Sequence, residues 1–265
     1  MAKYEEVPTV GMAVNFIFIF IGFIILTALL NFAPEGILRS SLVIVFLILM
    51  PTVTMSMIQR METITGVRFN IIFSTPNLMN FGIGMLLAIP LTFFILSTQV
   101  FFTQSASVLP VFAAASTFVE TKFGKLLLGF LIGFGETYLL NVLPSAIIYY
   151  ELCPRFLPRN IAEIVAAGTS GLTAAWMHYW SYGGNYLAMV WAFFSFFIWT
   201  LALFIFDSII PVVISHGFLD AFVFTGDLAE ATLFVLPFVF IGLLAMFVAM
   251  KKGQKAALGL GVIYG

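Results

Sequence analysis

Long apolar runs recur along the whole chain, and each approaches the length needed to cross a lipid bilayer. A helix spans the hydrocarbon core with about 20 predominantly apolar residues. The runs predict eight transmembrane helices, over 12–30, 41–57, 81–101, 124–148, 162–179, 186–206, 208–225 and 231–250. Because backbone polar groups find no water inside lipid, we expect an all-α membrane fold.

Composition agrees with this class of protein. Hydrophobic residues make up 62% of the chain and charged residues 9%, whereas soluble domains carry about 25% charged residues. No repeat, linker or compositional break divides the sequence, so a single polytopic membrane domain over 1–265 is expected, in contact with membrane lipid. The net charge of -1 gives no indication of nucleic-acid binding. Cys153 is the only cysteine, which excludes an intrachain disulfide and a Cys-based metal site.

Two segments fit the pattern less simply. Over 102–121, the residues Gln104, Ser105, Ser107 and Pro110 interrupt an apolar run, which is expected to form either a re-entrant piece or an added span. The first run follows a short mixed-charge tail and lacks an obvious small-residue cleavage site. We therefore expect a retained helix there and not a removed signal peptide.

The positions of lysine and arginine predict the orientation, because basic residues collect on the cytoplasmic side. With eight helices, one side carries Lys3, Arg60, Arg68, Arg155, Arg159, Lys251, Lys252 and Lys255. The other side carries Arg39, Lys122 and Lys125. Both termini are therefore expected in the cytoplasm, and the cell membrane is the expected location of this multi-pass protein.

Four ionisable side chains lie inside the apolar runs. They are Glu136, His178, His216 and Asp220, and the chain has no other histidine. Placing an acidic side chain in lipid costs about 2.5–3.5 kcal/mol on insertion scales, so each of the four marks a candidate functional position. They belong to the fourth, fifth and seventh predicted helices, which indicates a polar site where these three helices meet.

Small residues accompany two of the four. Gly129 and Gly133 lie on or near the helical face of Glu136. A second stripe precedes His178 and consists of Ala167, Gly171, Ala174 and Ala175. Such stripes let helices approach closely in lipid. The simplest packing places the two stripes against each other, with Glu136 and His178 near their contact.

His216 and Asp220 are four residues apart and therefore share a helical face. Asp220 is expected to accept a hydrogen bond from one imidazole nitrogen, which fixes the tautomer and leaves the other nitrogen for chemistry. Two histidines and a carboxylate match the ligand count of a catalytic zinc site, so His178 and His216 are candidate ligands of a divalent metal such as zinc. If Glu136 is a base, Asp220 either completes the ligand set or orients His216.

The order and spacing of these residues resemble the CPBP intramembrane proteases, which include the type II CAAX prenyl endopeptidases and bacteriocin-processing, Abi-like proteins. Their pattern is Glu-Glu-xxx-Arg, then Phe-xxx-His, then His-xxx-Asn or Asp, on a mostly eight-helix membrane fold. The resemblance covers about 124–225, the motif-bearing core. The matching residues are Glu136, His178, His216 and Asp220. The departures are Thr137 for the second Glu, Asn141 for the Arg and Ala174 for the Phe.

The resemblance implies hydrolysis of a peptide bond in a peptide or membrane-protein substrate by an activated water molecule. Glu136 would take the proton of the water, His178 would hold that water or a metal, and His216 with Asp220 would stabilise the oxyanion. In the family pattern the second Glu and the Arg can pair as ions. Thr137 and Asn141 are neutral and are expected to hydrogen-bond instead.

Two other functions fit the same residues. Thr137, Asn141 and Ala174 favour a catalytically inactive family member that acts as a membrane scaffold or partner protein. A haem-binding electron carrier would use both histidines as axial ligands, but it gives Glu136 and Asp220 no role. Aromatic residues around His178 are typical of an interfacial belt; they are Trp176, Tyr179, Trp180, Tyr182 and Tyr186.

Overall fold

The computed structural model describes residues 37–65, 78–102, 121–151, 157–179, 182–206, 208–226 and 228–255, with isolated helical positions between 17 and 29. Regular structure in these ranges is helical throughout, without a strand. We name the helices α1 (Ile37–Thr65), α2 (Leu78–Phe102), α3 (122–151), α4 (Arg159–Met177), α5 (Tyr186–Phe206), α6 (Ile210–Thr225) and α7 (Leu228–Lys251). Most of the predicted helix 12–30 and the segment 103–120 lie outside the described residues.

Five of these helices are long and apolar enough to cross a membrane: α1, α2, α3, α5 and α7. The apolar part of α6 is shorter, over Ile210–Val223. Pro211 falls in the first turn of α6, where its missing N–H interrupts no helical hydrogen bond. The all-helical class is thus confirmed and is compatible with a multi-pass membrane protein, whereas the count of eight spans stays a prediction.

Helix α3 changes its hydrogen-bond pattern in the middle. It is α-helical over Lys122–Glu136, π-helical over Thr137–Val142 and α-helical again over Leu143–Glu151. Two carbonyl groups of this region accept side-chain hydrogen bonds: Ser170 donates to that of Leu140, and Ser145 to that of Asn141. Hydroxyl groups therefore satisfy these backbone acceptors inside the helix bundle, where both serines are buried.

Polar contacts at the helix ends fix the direction of three helices. Lys122 at the start of α3 forms an ion pair with Glu230 at the start of α7. The N–H of Leu78 at the start of α2 donates to Oε1 of Gln254, just after the end of α7, at 3.1 Å. Helices α3 and α7 therefore run in the same direction and α2 in the opposite one. Consequently α2 ends at the end of the bundle where α3 begins.

Helices α3 and α6 pack backbone against backbone. A Cβ atom added at Gly129 would lie 2.8 Å from backbone atoms of Ala221, and one at Gly133 would lie 2.7 Å from those of Gly217. Gly171 of α4 instead faces α5, where a Cβ would lie 2.6 Å from the carbonyl oxygen of Phe193. The predicted packing of the two stripes against each other is therefore wrong. Helix α6 brings its own small residues, four apart, to the glycines of α3.

Candidate functional site

The four ionisable side chains lie together in the interior of the helix bundle. Glu136 closes the first α-helical part of α3, His178 directly follows α4, and His216 and Asp220 lie on α6. Oε2 of Glu136 lies 3.5 Å from Nε2 of His216 and 3.8 Å from Nε2 of His178. Nε2 of His216 also lies 3.7 Å from Oδ2 of Asp220. The Glu136 carboxylate is thus the centre of the group, and it is buried together with His216.

Hydrogen bonding defines the tautomer of His216. The hydroxyl of Thr137 donates to the carbonyl oxygen of Gly133 at 2.7 Å. The same hydroxyl oxygen lies 3.1 Å from Nδ1 of His216. A hydroxyl group has one hydrogen to donate, so with that hydrogen on the Gly133 carbonyl its oxygen accepts from Nδ1–H of His216. In the neutral ring, Nε2 then presents a lone pair to the two carboxylates. Thr137, and not Asp220 as predicted, is therefore the hydrogen-bond partner that selects the tautomer of His216.

His178 is oriented in the same sense by the backbone. Its Nδ1 lies 2.8 Å from the carbonyl oxygen of Ala174, which can only accept, so Nδ1 carries the hydrogen. The Nε2 lone pair then faces Glu136. Ala174, a departure from the family pattern, is completely buried and supplies this acceptor through its main chain.

Acceptor atoms consequently face one another across the site. Two imidazole lone pairs and the Glu136 carboxylate converge, and Oδ2 of Asp220 is buried without a hydrogen-bond partner among the described residues. Acceptors in a low-dielectric interior repel one another unless a proton, a water molecule or a cation lies between them. These acceptor atoms therefore favour the binding of a cation or of a molecule that donates hydrogen bonds.

Glu136, His216 and Asp220 form a group that can hold a metal ion, because one ligand atom from each lies within 4.8 Å of the others. Zinc bonds of about 2.0–2.2 Å in tetrahedral geometry place neighbouring ligand atoms about 3.3–3.6 Å apart. The separations of 3.5 and 3.7 Å around Nε2 of His216 are close to this requirement. His178, a predicted ligand, lies outside the group, and two carboxylates accompany the single histidine.

Aromatic rings enclose His216. The ring of Trp199 stacks on the imidazole with centroids 4.2 Å apart, and Phe196 meets it edge-on at 5.0 Å. The indole N–H of Trp199 donates to Oγ of Ser215 at 2.9 Å, and the hydroxyl of Thr92 on α2 lies 2.9 Å from the same oxygen. These rings restrain the imidazole plane, and they are buried together with His216.

Tyr182 completes the site from the turn between α4 and α5. Its ring stacks on His178 with centroids 5.4 Å apart. Burial, together with the nearby charges of Glu136 and Asp220, raises the pKa of Tyr182, so its hydroxyl remains a hydrogen-bond donor. Trp176 and Tyr186 are exposed, as an interfacial belt requires, whereas Tyr182 is partly buried against the core. Trp180 lies outside the described residues.

Asn141 anchors α3 on the far side of the π segment. Its amide N–H groups donate to the carbonyl oxygen of Phe196 at 3.1 Å and to the hydroxyl of Thr200 at 2.9 Å. Asn141 and Thr137 therefore bond to different helices and not to each other. Thr137 faces α6 while Asn141 faces α5, so the two side chains join α3 to two different helices.

No family model matches the chain, and neither do curated proteins or solved structures. The class defined by fold and site is accordingly broad. It is an all-helical protein with five helices of membrane-crossing length among the described residues and a buried group of glutamate, histidine and aspartate.

Proposed function

We propose that this chain is a divergent CPBP-type intramembrane peptidase, which hydrolyses a peptide bond of a membrane-associated substrate. One observation carries the proposal. Both histidines place Nδ1 against other hydrogen-bonding oxygens and turn Nε2 toward the buried carboxylate of Glu136. With both rings neutral and Nδ1 protonated, the carboxylate faces two lone pairs, which a water molecule can bridge by donating its hydrogens. Such an arrangement suits water activation.

In the proposed reaction, Glu136 takes a proton from a water molecule, and the water oxygen attacks the carbonyl carbon of the scissile peptide bond. Glu136 then returns the proton to the leaving nitrogen as the carbon–nitrogen bond breaks. His178 orients the water through its Nε2 lone pair. Tyr182 stacks on His178 and carries a hydroxyl donor suited to the negative charge that develops on the carbonyl oxygen.

A divalent metal ion fits the same residues, with Glu136, His216 and Asp220 as its ligands, and Glu136 would then hold the ion in place of acting as the base. A bound ion would act as a Lewis acid and lower the pKa of a coordinated water. Thr137 supports His216 as a ligand, because it bonds the imidazole nitrogen that does not face the site.

Removing one charge from this ligand set is expected to weaken metal binding. Asp220→Asn should lower the affinity for Zn²⁺ at least about tenfold, since a neutral amide replaces an anionic ligand. His178→Ala should leave the affinity unchanged, because His178 lies outside the group. Calorimetric titration of Zn²⁺ into chelator-treated protein in detergent measures both values. Equal affinities of the unchanged protein and Asp220→Asn would contradict the assignment.

We also propose the cell membrane as the location, with both termini in the cytoplasm. The proposal rests on the charge count, in which eight basic residues face three. The contacts at the helix ends support this orientation. Helix α2 ends on the side of the bundle on which α3 begins, as the predicted alternation of spans across the membrane requires.

The two rival functions receive less support. A haem iron needs its axial histidines on opposite faces of the macrocycle, whereas here Nε2 of His178 and Nε2 of His216 contact one carboxylate. For an inactive scaffold, the departures Thr137 and Ala174 should damage the site. Instead, they supply the acceptors that orient the two imidazoles.

Peptidase activity is tested in cells by quantitative proteomics of the termini of membrane-protein fragments. Cells that express the unchanged protein should contain cleavage products that are lost with Glu136→Gln. The control variant Gly168→Ala should retain the products, because an added Cβ there meets nothing within 4 Å. Identical fragment sets in all strains, at equal protein levels, would reject the peptidase and leave the scaffold.

A further inference from the structure

Thr137 lies on α3 at its contact with α6, and it takes no part in the proposed reaction steps. It is the first residue of the π segment and directly follows Glu136. Its side chain is completely buried. With no bulk water nearby to exchange partners, its two hydrogen bonds are long-lived determinants of the local geometry.

These two bonds form a directed chain from α6 back to α3. Nδ1–H of His216 donates to the Thr137 hydroxyl at 3.1 Å, and the hydroxyl donates to the Gly133 carbonyl at 2.7 Å. The carbonyl can only accept, so a hydroxyl that keeps its bond to Gly133 must accept from Nδ1–H. If His216 moved its hydrogen to Nε2, the Thr137 hydroxyl would have to turn away from the Gly133 carbonyl to donate to Nδ1.

We propose that Thr137 is a positioning residue, which holds His216 in the tautomer that directs its Nε2 lone pair at Glu136 and Asp220. The catalytic consequence rests on the proposed peptidase function, whereas the tautomer assignment does not. Trp199 and Phe196 restrain the plane of the imidazole ring, but apolar contacts cannot choose between its two tautomers.

Charge explains why a hydroxyl suits this place. A carboxylate at position 137 would also accept from Nδ1–H, but it would add a third negative group beside Glu136 and Asp220 in a buried site. Threonine accepts the same hydrogen bond without that charge. The departure from the family pattern is thus compatible with an oriented histidine, and Thr137→Ser should preserve this property.

The tautomer can be read directly, because the chain contains only two histidines. We suggest ¹⁵N-histidine labelling of the full chain in lipid bilayers, after treatment with a chelator, and solid-state NMR of the imidazole nitrogens. Both rings should carry hydrogen on Nδ1 in the unchanged protein. In Thr137→Val, His216 should change to the Nε2–H tautomer and donate to a carboxylate, while Thr137→Ser retains Nδ1–H.

His178 is an internal control, because the Ala174 carbonyl fixes its tautomer independently of Thr137. Its signals should be the same in all three proteins, which also reports that each variant is folded. A His216 ring with Nε2–H in the unchanged protein, or with Nδ1–H in Thr137→Val, would overturn the proposal.

Cleavage of a fragment identified in cells separates the two levels of the proposal. Thr137→Val should lower the turnover rate about 10- to 100-fold, as loss of an orienting partner does in other sites, and Thr137→Ser should restore it. A tautomer change with unaltered cleavage would overturn the positioning role. A tautomer change in a protein without any Glu136-dependent cleavage would reject the peptidase function, together with the catalytic consequence, and retain the assignment of the tautomer to Thr137.

Discussion

Replacing Glu136 with glutamine is expected to stop cleavage and yet leave the fold at least as stable as before. The carboxylate now meets the Nε2 lone pairs of His178 and His216. The amide of glutamine has nearly the same volume as the carboxylate and carries two N–H donors. It can therefore donate to the two Nε2 atoms, whose lone pairs repel the carboxylate. Loss of a general base lowers rates by about 10²- to 10⁴-fold. Activity and stability should therefore change independently.

Two measurements on purified protein test this expectation: the cleavage rate and the midpoint of thermal unfolding in detergent. Glu163→Gln is a matched control, because it makes the same chemical change in α4, about 22 Å along the helix from His178 at 1.5 Å per residue. It should keep the cleavage rate. If Glu136→Gln lowers the unfolding midpoint and reduces cleavage only in proportion to the folded fraction, Glu136 is a helix-joining residue and not a base.

Replacing Gly133 with alanine is expected to damage the fold and the site together. The new Cβ atom would lie 2.7 Å from Cα and N of Gly217. Both are backbone atoms, so relief requires α3 and α6 to separate. Overpacking of this kind costs about 1–3 kcal/mol and sometimes more. Because Glu136 and His216 lie on these two helices, their 3.5 Å separation should widen as well.

Gly168→Ala is the control for the conformational effect of the glycine itself. It lies in α4, and an added Cβ there meets nothing within 4 Å. Alanine is the better helix former by up to about 1 kcal/mol, so this variant should unfold at the same or a higher temperature. Similar unfolding temperatures and cleavage rates for Gly133→Ala and the unchanged protein would contradict the close approach of α3 and α6.

The sequence predicted the class of fold and the participants of the site better than their arrangement. Runs of apolar residues respond to the lipid solvent, which acts on each segment separately, so an all-helical membrane protein could be predicted. The cost of polar groups in lipid likewise identified Glu136, His178, His216 and Asp220, which the structure links through three contacts of 3.5–3.8 Å. Their catalytic roles remain predictions.

Pairing of helices could not be predicted in the same way. Small residues on α3 indicate a close neighbour, but the other helices also offer small residues, and the choice of α6 depends on the whole packing. Trp199 has no local signal either, because 17% of the chain is aromatic. Thr137 was visible only as a departure, since its partner lies 79 residues away.

The π segment gives α3 two phases. A π turn acts as one extra residue inside an α-helix, and each residue of an α-helix turns the chain by about 100°. Glu136 and Thr137 can therefore address α6 while Asn141 addresses α5, from one continuous rod. Deletion of one residue within Thr137–Val142 would rotate one end of α3 relative to the other. Either Glu136 and Thr137 would still face α6 or Asn141 would still face α5, but not both. The length of Thr137–Val142, and not only its side chains, therefore determines whether both sets of contacts can form.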